Sequence, residues 1–465
     1  MSPLSVSDAF EPMLGDVEPG LTAVVVVGAG IAGIACANAL AHAGVPVKIL
    51  EARGRIGGRL HTVELGGGSV DLGGAWIHEP DGNPLSDLAR LLGVATVPGD
   101  FIPRSVGWDP ATGPIPPPVM ARVLAQGWDA LFEARDDLVA SLGPDATLRA
   151  ALERHLRDRL GQQIAPADEP HVRAMAEIAL MQDAGAGLDE MTLGGFPGAT
   201  LGYGGDYLGA HPIGGYRALL EPLARGLDLR LDTPVLSIAA TRDSVAVTTA
   251  HGETLVASHV VVSVPVAVLA AGVVAFSPTL DDGRLRAIGA QFTGRFEKHA
   301  LAFDEPFWTA TGVPSLIVLP SDGSPSVDAI LGLDESVGIP VLVALAIGDH
   351  ATVLADPGGP RPAATPLVLD VIAGATGRRL EPSAVASSAW SADPWSRGAY
   401  SGPGPHSLPD DARRRAATHA GRVLFAGEST TAERPGYADG AYSTGIRAAN
   451  RLLGRDEVEV GVLDT

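Results

Sequence analysis

Three glycines, Gly28, Gly30 and Gly33, precede an acid, Glu51, at a spacing that would bind a dinucleotide. Gly28 would permit a tight turn, Gly30 would let the backbone approach a pyrophosphate, and Gly33 would let a helix pack closely on a strand. A helix starting at that turn aims its N-terminal N–H groups at the phosphates. Glu51 lies 18 residues beyond Gly33, where a carboxylate accepts hydrogen bonds from ribose hydroxyls and its charge disfavours a 2′-phosphate. A second glycine-rich stretch, residues 53–74, carries Gly57, Gly58 and Arg59. Its paired glycines admit backbone near a cofactor, and the arginine supplies a fixed cation for phosphate.

The elements that must position these residues follow from the pattern around them. Residues 22–27 are a β-branched run, an Ala-rich helix extends to about residue 43, and residues 45–51 form a second strand: a βαβ unit. Residues 83–180 read as mostly helical, with breaks at Pro98, Pro103 and the proline-rich stretch 114–118. Strands are predicted over 229–238, 245–249, 260–264 and 423–426, and a closing helix over 440–453. The most apolar run, 260–276, contains Ser263 and Pro265 and reads as strand, turn and helix start, not as a membrane span. The order implies a mixed α/β fold with a Rossmann-like nucleotide-binding domain assembled from 21–82, 212–285 and 390–455. A substrate domain of helices and a mixed sheet is intergrown with it over 83–211 and 286–389, with a flexible leader at 1–20 and a tail at 456–465.

Size and charge narrow the function. A chain of 465 residues is too long for one simple core. A formal charge of −21 argues against nucleic acid as a partner, which needs a basic face, and would attract cationic substrates. One cysteine, Cys36, leaves no intrachain disulfide, CxxC pair or thiolate metal site, and no metal is expected. No apolar signal core precedes residue 21, and the acidic tail cannot anchor, so a cytoplasmic monomer or homodimer without membrane attachment is expected. Lysine occurs only at Lys48 and Lys298 among 33 basic residues. Where so arginine-biased a chain keeps a lysine, a point-like ammonium is the property retained.

Residues 51–59, followed by the segment 73–78 with Gly73, Gly74, Ala75, Trp76 and His78, resemble the flavin amine oxidases. That family spans monoamine, polyamine and L-amino acid oxidases and flavin-type histone demethylases. Segments 211–216, 233–238, 260–269 and 425–429 are similar to the family's middle and C-terminal motifs, while 95–185 is weakly matched. The resemblance implies FAD. It implies contacts from Gly28, Gly30, Ile31, Ala32 and Gly33 at the first turn, from Glu51, Ala52 and Arg53 after the second strand, and from Gly58, Arg59, Gly74, Ala75 and Trp76 in the glycine-rich loops. Val235, Trp395, Gly427, Glu428, Tyr437 and Ala438 complete the set.

On the reaction side the resemblance implies that Lys298 holds a water near flavin N5 and assists the reaction with oxygen. Tyr400 and Tyr437 would form a two-ring cage that steers an amine by cation–π attraction and holds its neutral form. His78 would line the substrate channel, and Glu79, Asp206 and Asp183 are acids that could receive a distal ammonium. Ala399 stands where monoamine oxidases carry a cysteine bonded to the flavin, so FAD is expected to be non-covalent. No arginine follows the glycine-rich loop, where an L-amino acid oxidase would grip a carboxylate. The expected activity is oxidation of a di- or polyamine by hydride transfer to N5, giving an imine, then an aldehyde, and hydrogen peroxide. A monoamine or L-amino acid oxidase is the alternative enzyme, and a non-oxidase or chromatin-type flavoprotein the alternative class.

Overall fold

The structure is a computed structural model, which describes residues 23–99, 105–127, 130–196, 202–205, 207, 209–403 and 421–455. The leader at 1–20, the tail at 456–465 and Asp206 lie outside the described residues.

Among the described residues, five strands from distant parts of the chain form one sheet. The strand Val24–Val27 lies between Val47–Leu50 and His259–Val262, with Asp228–Arg230 and Val423–Phe425 at the two edges. Every pairing in it is parallel. Valines fill the central strand because it is buried on both faces. The helix Ile31–His42 packs on this sheet beside the closing helix Ala438–Leu452, whose Gly445 has no room for a side chain against the Ala32 carbonyl. Both helices start at the carboxyl ends of strands, where ligands bind in open parallel sheets.

A larger sheet of seven strands runs in the order Ala384–Ser387, Phe296–Ala302, Val341–Ile347, Ala329–Gly332, Ser315–Val318, Ser105–Asp109 and Gly113–Pro114. In the register, Lys298 lies opposite Leu345, Phe296 opposite Ile347, and Leu345 in turn opposite Ala329. Alternation puts Phe296 and Lys298 on one face together with Leu345, Ile347, Ala329 and Leu331. A layer of helices, including Pro117–Gly127, Leu148–Arg159 and Glu169–Ala184, packs around Met175, Ile178 and the sheet residue Ile317.

One expectation is corrected. The run 229–238 is not one strand: Asp228–Arg230 joins the parallel sheet, and Val235–Ala240 joins a separate four-stranded sheet. Asp232 sits at φ 50° between them and Pro234 has no N–H to donate, so the chain turns there. The stretch 83–180 is mostly helical, and near its expected breaks Thr96–Pro98 and Ser105–Asp109 are strands drawn into sheets by distant partners. Among the described residues, no helix is long and apolar enough to cross a membrane.

Candidate active site

A cavity of about 340 Å³ opens along the carboxyl ends of the parallel strands and continues over the face of the seven-stranded sheet. One water needs roughly 10–15 Å³ by the same measure, so the space suits a large ligand.

At the nucleotide end the first turn is built as a cradle. Gly28 takes φ 104° and donates its N–H to Leu50 O at 2.8 Å. A side chain at Gly33 would overlap the Gly28 carbonyl, which fixes the helix against the turn. Nothing lies within 4 Å of where a Cβ at Gly30 would stand, and Gly30 caps the helix Ile31–His42 with no side-chain hydrogen bond. The helix N-terminus therefore faces open cavity, the arrangement an anionic pyrophosphate requires. Glu51 is buried, and its carboxylate accepts from Ala29 N at 2.7 Å and Arg53 N at 2.9 Å. These two bonds fix its position beneath the cradle and leave acceptor capacity for ribose hydroxyls. Arg53 is held by Asp393, at 2.7 Å.

Farther along, Arg59 Nη1 lies 2.8 Å from Glu428 Oε1 and donates to Ala399 O at 3.0 Å. The Glu428 carboxylate also accepts from the Ser401 hydroxyl and from Gly436 N at 3.0 Å. Gly427 leads into it with open space where a Cβ would be. A cation and an anion locked together along the wall make a polar, net-neutral strip suited to a ribityl and phosphate chain. Every expected cofactor contact except Gly33 lines the cavity, and Gly33 acts one layer behind it. The donor set, the uncapped helix and the open glycines fit FAD.

At the other end stands Lys298. Its side chain is buried, and Nζ donates to Gly73 O at 2.7 Å and Asp71 O at 3.3 Å while lying 4.4 Å from the Trp76 ring centre. Burial lowers its pKa to about 8, and the Asp71 carboxylate partly opposes that shift. Burial likewise raises Asp71 to about 6, although Thr62, Lys298 and Tyr216 N all favour its charged form.

Tyr400 and Tyr437 both line the cavity. The Tyr400 hydroxyl donates to Gln182 O, and its ring lies 6.3 Å from Phe296. Tyr437 caps the closing helix; its hydroxyl is 3.4 Å from that of Tyr207, and the Arg434 guanidinium sits 4.2 Å from its ring centre. His78 packs edge-on to Tyr437 at 5.3 Å, and its Nδ1 bonds Tyr207 O at 2.6 Å. Burial, outweighing that hydrogen bond, lowers the His78 pKa.

The expected acids fare differently. Glu79 does not line the cavity; its carboxylate is held by Arg434, which also binds Asp439 at 2.8 Å. Asp183 lies in the helix Glu169–Ala184, and its side chain is outside the described residues, as is all of Asp206. Asp328, 2% exposed, is a further acid that lines the cavity, besides Glu51 and Glu428 on the cofactor side. Its Oδ2 accepts from Ile347 N at 2.7 Å, and its Oδ1 lies 2.6 Å from His350 Nδ1. Apolar side chains of Phe296, Leu345, Ile347, Ile317, Met175 and Ile178 line the same cavity. Sequence reasoning missed Asp328, Asp71 and Tyr207. Nothing local distinguishes Asp328 from other loop aspartates, because its partners come from a strand and a turn about 20 residues away.

Residues 31–453 match the family described as flavin containing amine oxidoreductase. The chain is 31% identical to "Polyamine oxidase 4" of Oryza sativa subsp. japonica over 95% of its own length and 90% of that protein's. It is 29% identical to "Lysine-specific histone demethylase 1B" of Mus musculus, over 92% of this chain and 52% of that one. In fold it is similar to putrescine oxidase bound to putrescine, with a TM-score of 0.71 at 23% identity, covering 94% and 99% of the two chains.

Proposed function

The chain belongs to the flavin-containing amine oxidoreductase family, and we propose that within it the protein oxidises a di- or polyamine. The carrying observation is one cavity whose wall brings together the tyrosines, Lys298, a set of apolar side chains and the buried Asp328. Methylenes gain by leaving water along such a wall, and a terminal ammonium needs a carboxylate once desolvated. The relative named a polyamine oxidase and the neighbour bound to putrescine support the same substrate class.

Bound FAD would supply a two-electron acceptor for oxidation of the amine at its α-carbon. The remaining work falls to side chains. The faces of Tyr400 and Tyr437 flank the reacting amine and favour its neutral form once water is excluded. Lys298 places a fixed cation where negative charge develops on oxygen. Asp328 receives the substrate's far ammonium and sets which amine along the chain reaches the tyrosines. The flavin is assigned to residues 21–82, 212–285 and 390–455, and the substrate to 83–211 and 286–389.

The experiment is a peroxide-coupled panel of α,ω-diamines, polyamines, monoamines and L-amino acids. A diamine or polyamine should lead, and its kcat/KM should fall with ionic strength more steeply than that of a monoamine of similar length. The salt effect should be modest near physiological ionic strength, where screening limits reach to roughly 8 Å. An L-amino acid as best substrate, or a hydrophobic monoamine with no salt effect, overturns the reading.

The mode of attachment is tested separately. Ala399 lines the cavity, and the lone thiol, Cys36, is buried in the helix Ile31–His42 with its pKa pushed up to about 12 by burial. Acid precipitation should therefore release FAD into the supernatant and leave a colourless pellet. Flavin migrating with the denatured polypeptide would contradict non-covalent binding.

A further inference from the structure

Asp328 is among the residues that line the cavity, and its carboxylate is paired with His350. His350 opens a short helical turn, His350–Val353, and its side chain is 22% exposed where that of Asp328 is 2% exposed. The imidazole thus bridges a buried carboxylate and the protein exterior. Other acids close on it from the elements packed around it. Glu177 comes from the helix Glu169–Ala184 and Asp349 from the preceding residue. Two arginines balance those acids: Arg149 lies 3.5 Å from Glu177 and binds Asp189, and Arg295 lies 3.0 Å from Asp349 and binds Glu190. Burial pulls the His350 pKa down, but the Asp328 hydrogen bond and charge, with Glu177 and Asp349, more than offset it, leaving it above the ordinary histidine value.

The Asp328 carboxylate has one bond to Ile347 N and one to His350, which leaves lone pairs for a third donor. A cation arriving from the cavity would share this carboxylate with the imidazolium. Two like charges flanking one carboxylate disfavour each other's charged forms. The substrate's ammonium has a high intrinsic pKa, whereas a histidine titrates near neutrality. The imidazolium is the one to give way, and its exposed edge provides the exit to solvent.

Resting on the reading of Asp328 as receptor for the far ammonium, we propose that His350 is a specificity-determining residue that exchanges its proton for that ammonium. In the free protein the imidazolium is the counter-ion of Asp328. When a dicationic amine binds, the ammonium takes its place, and the His350 proton leaves to water. Net charge at the subsite is conserved and no other bond changes. Preference for diamines over monoamines therefore rises with pH as His350 loses its proton, while monoamine binding does not sense His350.

The test uses the oxidised FAD-loaded enzyme and 2,5-dimethylhexane-2,5-diamine, a dication without α-hydrogens that cannot be oxidised. A tertiary-carbon monoamine of matching length is the comparator. Calorimetric titration in two buffers of different ionisation enthalpy, near neutral pH, counts protons released on binding. The wild type should release a larger fraction of a proton with the diamine than with the monoamine. His350→Asn, which retains an N–H donor for Asp328, should bind the diamine without that excess, and His350→Gln provides a second variant should the first not fold. An equal proton count in the wild type and the folded His350 variant overturns the exchange, since a histidine that only staples its turn to the sheet would leave the count unchanged. Diamine affinity unaltered in Asp328→Asn would overturn the subsite itself and the exchange with it. A large affinity loss in Asp328→Asn alongside an unchanged proton count would overturn the exchange alone.

Discussion

Replacing Lys298 with Met should slow the reaction of the reduced enzyme with oxygen ~100-fold or more, the scale on which losing one preorganised charge-stabilising donor acts. The side chain is 3% exposed, and Nζ is fixed by the carbonyls of Gly73 and Asp71 over the Trp76 ring. A cation so held needs no reorganisation when negative charge develops beside it, and little water is present to screen it. Its lowered pKa, about 8, makes the effect pH-dependent. Below that value the lysine is charged and oxygen reactivity is full; as pH rises through it the ammonium is lost and the rate should fall. In Lys298→Met the rate should be low and flat across the same range. Methionine fills similar space and removes a costly buried charge, so FAD binding and the flavin spectrum should change little. Stopped-flow mixing of reduced enzyme with oxygen measures this directly. Unchanged oxygen reactivity would leave Lys298 a structural residue despite its place on the cavity wall.

The parts of the site legible in the sequence are those whose geometry is local. Gly28, Gly30, Gly33 and Glu51 act within one strand–helix–strand unit, so spacing alone specifies a turn, an open helix end and a carboxylate beneath them. Lys298 stood out because the chain almost never uses lysine. What could not be read depends on pairings across the chain. Asp71 comes beneath Lys298 through a contact spanning 227 residues. Glu79 looked like a candidate for the substrate's ammonium, but Arg434, 355 residues away, takes its carboxylate. Tyr207 reaches Tyr437 across 230 positions. The misjudged strand at 229–238 is a different kind of failure. Asp232 and Pro234 were visible turn signals, outweighed by the apolar residues on either side.

Asp328→Asn should separate diamines from monoamines. For the best diamine, kcat/KM should fall ~10- to 100-fold, while a monoamine of the same chain length should change by no more than ~3-fold. The magnitude follows from a charge-assisted hydrogen bond in a buried place, worth about 1.5–3 kcal/mol, with each 1.4 kcal/mol a factor of ten. Asparagine retains an oxygen for Ile347 N and nearly the same volume, so the edge of the sheet should keep its shape. Losing the carboxylate also removes the largest influence holding the His350 pKa up, so burial pulls it down. The subsite in the variant thus offers a neutral amide in place of the carboxylate. It still accommodates an alkyl tail but offers no counter-charge to an ammonium, so a diamine must keep its far end in water or bind unpaired at a cost of several kcal/mol. A monoamine loses nothing because it never used the carboxylate. Equal losses for both substrates would mean that Asp328 only joins the turn at His350 to the sheet, and the specificity would then have to reside elsewhere in the cavity.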